Sequence, residues 1–107
     1  MERVVLHTRL REGREAEYER LHAAIPPELD ALLRRNGVRA WRIFRKGREL
    51  FHYVEVEDYA AFLSAVKDDP INRAWQERMA ELLEVVHDYG AAETNTLPLV
   101  WELPQRP

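Results

Sequence analysis

Tyr18 and His22 are the residues whose types and spacing most directly permit chemistry. They lie four positions apart in a charged segment with helical periodicity, so both side chains fall on one face of the helix. An imidazole titrates near neutral pH and can act as a general acid or base. The competing interpretation is a core histidine that is hydrogen-bonded to the tyrosine or to a backbone carbonyl, and spacing alone favours that interpretation.

Trp41 and Trp75 are the next candidates, because an indole offers a flat apolar face and one N–H donor. The C–H faces of sugars stack on such rings, and their hydroxyls remain available to polar neighbours. For each tryptophan taken singly, the pattern favours core packing at strand or helical spacing. Trp101 is predicted to lie in the core of the last strand.

The three remaining histidines carry weaker expectations. His7 and His52 lie on two predicted neighbouring strands and are expected to share the inner face of the sheet, where a structural pair is at least as well supported as a reactive one. His87 falls near the end of a predicted helix. Because the helix dipole favours a cation there, His87 is assigned only a capping role.

The sequence lacks the residues that several kinds of catalytic or metal-binding site require. The sequence contains no Cys, which removes disulfides, thiolate zinc sites and thiol nucleophiles together. Ser64 is the only Ser, the four Gly are isolated, and no two His have the helical metal-binding spacing of four. We therefore expect no metal, no nucleotide and no other cofactor.

Length and charge narrow the class of protein further. One domain is expected over residues 1–107, with residues 105–107 as a disordered tail. The net charge of −3 and the interleaving of Arg with Glu argue against nucleic acid as a partner. No apolar run approaches the roughly 18 residues of a membrane span, and no signal segment follows Met1. The expected location is the cytoplasm, without membrane association.

The elements that must position these side chains follow the order β-α-β-β-α-β. Strands are predicted over 3–10, 38–45, 50–56 and 97–103, and helices over 14–25, from Pro27 to the Asn36-Gly37 stop, from Asp58, and from Asp69-Pro70 to Gly90. A polar loop over 91–96 is expected before the last strand. This order predicts an α+β fold with a ferredoxin-like plaited sheet and helices on one face.

Both faces of that sheet carry large apolar residues. The second strand has Trp41 and Ile43 on one side and Phe44 on the other, and the third strand has Phe51 and Tyr53 on one side and an aliphatic row on the other: Leu50, Val54 and Val56. A large uncovered apolar face implies association. Because twofold symmetry is the commonest choice among oligomers, a homodimer that packs sheet against sheet is the simplest cover. We therefore expect a dimeric α/β barrel.

Four segments of the chain share their pattern with one known family. They are Tyr18-Glu-Arg-Leu-His22-Ala-Ala-Ile-Pro-Pro27-Glu28-Leu29 and residues 51–57, 72–79 and 99–103. The first segment is similar to the Y-x-x-x-H-x-x-x-x-P-E-L signature of the L-rhamnose mutarotase family. The chain resembles that family over nearly its whole length.

The resemblance implies a cofactor-free, dimeric enzyme that interconverts the α and β anomers of a 6-deoxy sugar. It implies His22 as the proton donor, and the sugar contacts that it implies are Tyr18, Trp41, Trp75 and Gln76. The family usually has Tyr at the position of Trp41 and a second Trp at the position of Gln76. L-Fucose or another sugar therefore stays open beside L-rhamnose.

Other functions remain open on the same fold, because dimeric α/β barrels also include cofactor-free monooxygenases and proteins that bind haem or small metabolites. The motif around His22 favours the mutarotase, with a monosaccharide as the binding partner. The second proton-handling group of such a reaction is expected to be a water or His52.

Overall fold

Four strands and four helices form the chain in the computed structural model, which describes residues 1–90 and 95–105. In chain order they are β1 Glu2–Leu10, α1 Glu15–His22, α2 Pro27–Arg35, β2 Val38–Lys46, β3 Glu49–Val56, α3 Tyr59–Val66, α4 Pro70–Ala80 and β4 Leu83–Val85. The predicted loop over 91–96 lies outside the described residues at positions 91–94, as does the predicted tail at positions 106 and 107.

The sheet has the strand order β2-β3-β1-β4, and all three pairings are antiparallel. His52 on β3 lies opposite Leu6 on β1 and opposite Ile43 on β2. Two helices connect β1 to β2, and two connect β3 to β4. This arrangement is the ferredoxin-like plaited sheet. The predicted α+β fold class is confirmed.

The helix starts follow the cap residues of the sequence. The carboxylate of Asp58 accepts a hydrogen bond from the backbone N–H of Ala61 at 3.0 Å, and that of Asp69 accepts one from Ile71 at 2.9 Å. α2 and α4 each carry a proline in the first turn, where no N–H is needed. These local signals fix the starts of the helices to within about one turn.

Two buried clusters fill the space between the sheet and the helices. One joins α2 and α3 to the sheet, and the other joins α1, α4 and β4 to it. On β3, Leu50 belongs to the second cluster and Val54 to the first, and His52 lies between them on the same face because side chains alternate along a strand. His52 is therefore the residue of β3 that separates the two apolar clusters on the inner face of the sheet.

The last part of the chain departs from the prediction. The helix predicted to reach Gly90 ends at Ala80, and Leu83–Val85 forms the fourth strand. The predicted strand over 97–103 does not form within the chain, and Trp101, predicted to be buried, is 71% exposed. The edge of β1 explains the difference, because its backbone groups need partners and residues 83–85 and 95–97 supply them.

Two short pieces share that edge of β1. β4 pairs at Arg9 and Leu10, and further along the backbone N–H of Leu97 donates to the carbonyl of Val5 at 2.8 Å. Thr96 forms an isolated antiparallel bridge with Leu6. The described pairing on this edge thus ends at Val85 and is found again from Asn95 onward.

The outer face of the sheet carries His7, which does not share a face with His52 as predicted. His7 Nε2 contacts the carboxylate of Glu49 at 2.6 Å, and its ring packs 5.5 Å from that of Phe51. The prediction failed because antiparallel register sets Leu6, and not His7, opposite His52. Apolar side chains accompany His7 on this face, and Phe44 among them is 60% exposed.

Within residues 1–90 and 95–105, no helix is long and apolar enough to cross a membrane.

Candidate active site

A cavity of about 430 Å³ lies between the inner face of the sheet and helices α1, α2 and α4. All six residues that the sequence singles out as site residues line it: Tyr18, His22, Trp41, His52, Trp75 and Gln76. Its size is in the range of small-molecule sites. Among the described residues, its lining contains no Asp, Glu, Lys or Arg, which suits an uncharged ligand.

His22 is the last residue of α1 and is held there by its own helix. Its Nδ1 donates to the carbonyl oxygen of Tyr18 at 2.9 Å, which is the contact that the sequence spacing allows for a core histidine. The imidazole stacks on the ring of Tyr18 at 4.1 Å and meets the edge of Trp75 at 5.2 Å between centroids. Since Nδ1 carries the proton, Nε2 is the atom available to a ligand, and it has no partner among the described residues.

Burial sets the protonation of this pair. Desolvation lowers the pKa of His22, and the hydrogen bond to the Tyr18 carbonyl opposes that change. Desolvation raises the pKa of Tyr18, so its hydroxyl stays protonated and can donate a hydrogen bond. The two rings therefore offer one titrating nitrogen and one neutral donor.

His52 has both of its ring nitrogens engaged by protein groups. Trp41 Nε1 donates to Nδ1 at 3.1 Å, and Nε2 lies 2.9 Å from the hydroxyl of Thr8. Because an indole only donates, Nδ1 must accept, so Nε2 carries the proton and donates to Thr8. Burial first, and repulsion from His87 second, lower the pKa of His52 to about 2. This arrangement does not suit the proton-handling role expected of His52.

His87 enters the cavity wall from the segment that follows β4, and it caps no helix. Its ring lies 4.6 Å from that of His52 and 6.1 Å from that of Trp41. Burial, together with repulsion from His22, lowers its pKa to about 4. The capping prediction is wrong because α4 ends seven residues earlier, at Ala80. The only sequence signal for a turn here is Gly90, just beyond His87.

Gln76 reaches the cavity as part of an amide and phenol network that the sequence did not reveal. Its Nε2 donates to the hydroxyl of Tyr89 at 3.0 Å. Asn72 is held from behind, since its Nδ2 donates to the carbonyl of Val66 at 3.1 Å. The side-chain carbonyl oxygen of Gln76 accepts no hydrogen bond from the described part of the chain, so it can accept one from a ligand. Asn72 and Tyr89 come from α4 and from the segment after β4, so only the fold brings them together.

No group of three His, Asp or Glu side chains within residues 1–90 and 95–105 is arranged to hold a metal ion. The cavity instead combines two indole rings with a few polar atoms. Sugars need such a combination, because their C–H faces stack on aromatic rings and their hydroxyls hydrogen-bond.

The strand order and the helix placement give this chain the fold class of the dimeric α/β barrels among ferredoxin-like α+β proteins, with a cavity between sheet and helices. The model of the L-rhamnose mutarotase family matches residues 3–103. The chain belongs to the L-rhamnose mutarotase family, and it is a sugar mutarotase of the isomerase class. The resemblance that the sequence motif carries is confirmed.

Individual relatives agree with this placement. An L-rhamnose mutarotase of Opitutus terrae is 38% identical over 85 residues, which cover 78% of this chain and 81% of that protein. One of Verminephrobacter eiseniae is 35% identical over 104 residues, covering 96% and 92%. The crystal structure of an L-rhamnose mutarotase from Formosa agariphila superposes with a TM-score of 0.76 at 25% identity, covering 97% of this chain and all of that one.

The fold is also found in a protein of much lower sequence identity. Tetracenomycin F2 cyclase from Streptomyces glaucescens superposes with a TM-score of 0.73 at 18% identity, covering 99% of this chain and all of that one. The same framework therefore carries a different chemistry elsewhere, and the residues of the cavity decide the function.

Proposed function

We propose that this chain interconverts the α and β anomers of a 6-deoxy hexose, with L-rhamnose as the first candidate substrate. The observation that carries the proposal is His22, which is fixed through Nδ1 and offers Nε2 inside an uncharged cavity walled by Trp41 and Trp75. The relatives named L-rhamnose mutarotase support the choice of sugar.

The reaction needs little from the protein. The ring opens when the ring oxygen gains a proton, the anomeric hydroxyl loses one, and the bond from the anomeric carbon to the ring oxygen breaks. Rotation of the aldehyde and closure on its other face complete the exchange. Protonated His22 donates to the ring oxygen during opening and recovers the proton during closure. One such positioned group contributes roughly 10²–10⁴-fold to the rate.

The other cavity residues hold the sugar. The indole faces of Trp41 and Trp75 stack on its C–H surfaces, and Trp75 also fixes the tilt of the His22 ring through their edge contact. The Tyr18 hydroxyl donates to a sugar oxygen, and the carbonyl of Gln76 accepts from a sugar hydroxyl. These roles remain proposals for this chain.

The test is saturation-transfer NMR, in which exchange between the two anomeric proton signals is read directly. We expect added protein to accelerate exchange of L-rhamnose or L-fucose above the buffer rate, and to leave at least one sugar of a monosaccharide panel unaffected. Protein without effect on any 6-deoxy sugar would remove the proposal. A Soret band on titration with haem would instead support the haem-binding alternative.

We further propose a homodimer in which two copies cover each other's outer sheet faces. The support is the uncovered apolar group on that face, with Phe44, Phe51 and Tyr53, and the exposed apolar side chains of residues 97–103. A single chain leaves both in water, which is unfavourable. A cytoplasmic location and the absence of a cofactor stay predictions.

A further inference from the structure

His87 is the cavity histidine that the roles above leave without a task. It follows the point where β4 ends at Val85 and the chain leaves the edge of β1, and this departure carries residues 86–90 past the cavity. The ring is half-buried, and among the described residues no hydrogen bond engages either ring nitrogen. Its neighbours are rings: His52, Trp41 and Tyr89, at centroid distances of 4.6, 6.1 and 6.2 Å.

We propose that His87 is the second proton-handling group of the site, the base that takes the anomeric proton while His22 supplies a proton to the ring oxygen. The assignment rests on the proposed function. It replaces the water or His52 that the sequence suggests.

The geometry separates His87 from His52. His52 lies on the floor of the sheet with one nitrogen held by Trp41 and the other by Thr8. No lone pair of its ring is left for a substrate. His87 lies against the edge of this fixed ring, which limits its own rotation while its nitrogens stay available. His52 is thus a positioning residue, and His87 is the group that meets the sugar.

Two different walls supply the two imidazoles. His22 comes from α1 and packs against Tyr18 and Trp75, whereas His87 comes from the segment after β4 and packs against the rings of the sheet. A sugar between them exposes its anomeric hydroxyl and its ring oxygen to separate nitrogens. Such a separation suits mutarotation, because one of these oxygens gains a proton and the other loses one during ring opening.

The net charge stays constant over the cycle, because His22 and His87 together carry one proton beyond their neutral state. In opening, His87 gains the proton of the anomeric hydroxyl, His22 loses its proton to the ring oxygen, and the bond from the anomeric carbon to the ring oxygen breaks. In closure the former ring oxygen attacks the aldehyde carbon, the new hydroxyl takes its proton from His87, and His22 regains its own. No oxidant, reductant or further reactant is needed.

The surroundings decide which of the two holds the proton. The titratable groups that face His87 are His52 from β3, His22 from α1 and Tyr89 from its own segment, and no carboxylate lines the cavity among the described residues. Burial and repulsion from His22 disfavour a charge on His87, whose pKa is about 4. Desolvation lowers the pKa of His22 as well, but the hydrogen bond that its Nδ1 donates to the Tyr18 carbonyl opposes that change, and His87 has no such bond among the described residues. His22 is therefore the acid and His87 the base.

The experiment compares anomer exchange in wild type, His87→Gln and His87→Ala, with His7→Gln as the matched control on the opposite face of the sheet. We expect both His87 variants to lose roughly 10²–10⁴-fold of the catalysed exchange rate. Sugar affinity from tryptophan fluorescence should be kept, so the loss appears in kcat and not in KM. Added imidazole should restore part of the rate in His87→Ala. The control should retain wild-type exchange.

Specific outcomes overturn the assignment. Wild-type exchange in His87→Gln would do so, as would a loss of sugar binding equal to the loss of rate without rescue by imidazole. If neither variant folds, the pH profile of wild-type kcat/KM decides, recorded where near-UV circular dichroism shows the chain folded, since His87 as base requires a loss of rate as the pH falls toward about 4 in the folded protein. A wild-type protein that accelerates no sugar instead refutes the proposed function itself.

Discussion

Trp41 donates its indole N–H to Nδ1 of His52 at 3.1 Å, and this bond fixes the tautomer of a buried imidazole. The second nitrogen then donates to Thr8, so a polar side chain that is 1% exposed is fully satisfied. The bond also joins a wall of the cavity to its floor. Trp41, which is expected to stack on the sugar, therefore also stabilises the fold through this hydrogen bond.

Trp41→Phe tests whether the hydrogen bond to His52 stabilises the fold. The variant keeps an aromatic wall but leaves Nδ1 of His52 without a donor, which costs about 1–3 kcal/mol for a buried acceptor. Urea unfolding should show this loss of stability. Trp75→Phe is the matched control, because no hydrogen bond of the Trp75 indole exists among the described residues. Equal losses in the two variants would contradict the importance of the bond.

Acid should destabilise the fold through His52. Its pKa is about 2 in the folded chain and 6.5 in its ordinary state, so between these values the unfolded chain binds more protons. The stabilising contribution is complete above about 6.5 and is lost progressively as the pH falls toward 2, at about 1.4 kcal/mol for each pH unit. Unfolding free energies across this range should fall less steeply in His52→Gln. Parallel curves would contradict the assignment of a neutral, buried imidazole.

His22→Gln should remove activity and spare the fold. Glutamine can still donate to the Tyr18 carbonyl, but it has no titrating nitrogen for the ring oxygen. We expect the catalysed exchange rate to fall roughly 10²–10⁴-fold while sugar binding persists. Anomer exchange by NMR and thermal melting, recorded on the same preparation, check both statements. Full exchange in this variant would take His22 out of the mechanism.

Gly37→Ala should destabilise the chain more than Gly47→Ala. Both glycines have positive φ angles, of 92° and 59°, where a side chain costs about 1–2 kcal/mol. A Cβ at Gly37 would also lie 2.8 Å from Oε2 and 3.2 Å from Cβ of Glu57, whereas a Cβ at Gly47 meets no atom within 4 Å. Chemical denaturation of the two variants gives the comparison directly. A larger loss at Gly47 would contradict it.

Phe44→Glu should separate the proposed homodimer. The substitution puts a charge into the uncovered apolar face, and burying an unpaired charge is strongly unfavourable. Light scattering should report a dimer for wild type and a monomer for the variant. Glu12→Gln, on an exposed residue between β1 and α1, is the control and should remain dimeric. A wild-type monomer at micromolar concentration would refute the dimer.

The strand and helix order up to α3 could be predicted from the sequence, because each element there has its own local signal. Alternation marks β1 and β3, and the Asp58 and Asp69 caps mark two helix starts. The end of α4 has no such signal. Its apolar positions continue at helical spacing into Leu82 and Leu83, and only the open edge of β1 converts that segment into a strand.

The contacts of the candidate site also fall into those that local spacing predicts and those that only tertiary pairing creates. Tyr18 and His22 are neighbours on one helix turn, so their contact follows from spacing. The contact between His52 and His87 joins residues 35 positions apart, across a strand edge that local patterns do not predict. Local pattern therefore places His87 at a helix end and gives no signal for Tyr89 or Asn72 as site residues. Tertiary pairing at one sheet edge accounts for these differences.

The edge of β1 has a consequence for how this framework diversifies. Residues 83–85 and residues 95–97 both bond to this one strand. His87 and Tyr89, which follow Val85, line the cavity. Changes of composition at residues 86–90 therefore alter one wall of the cavity and leave the pairing of β4 with β1 intact, which offers a route to new sugar preferences on an unchanged sheet.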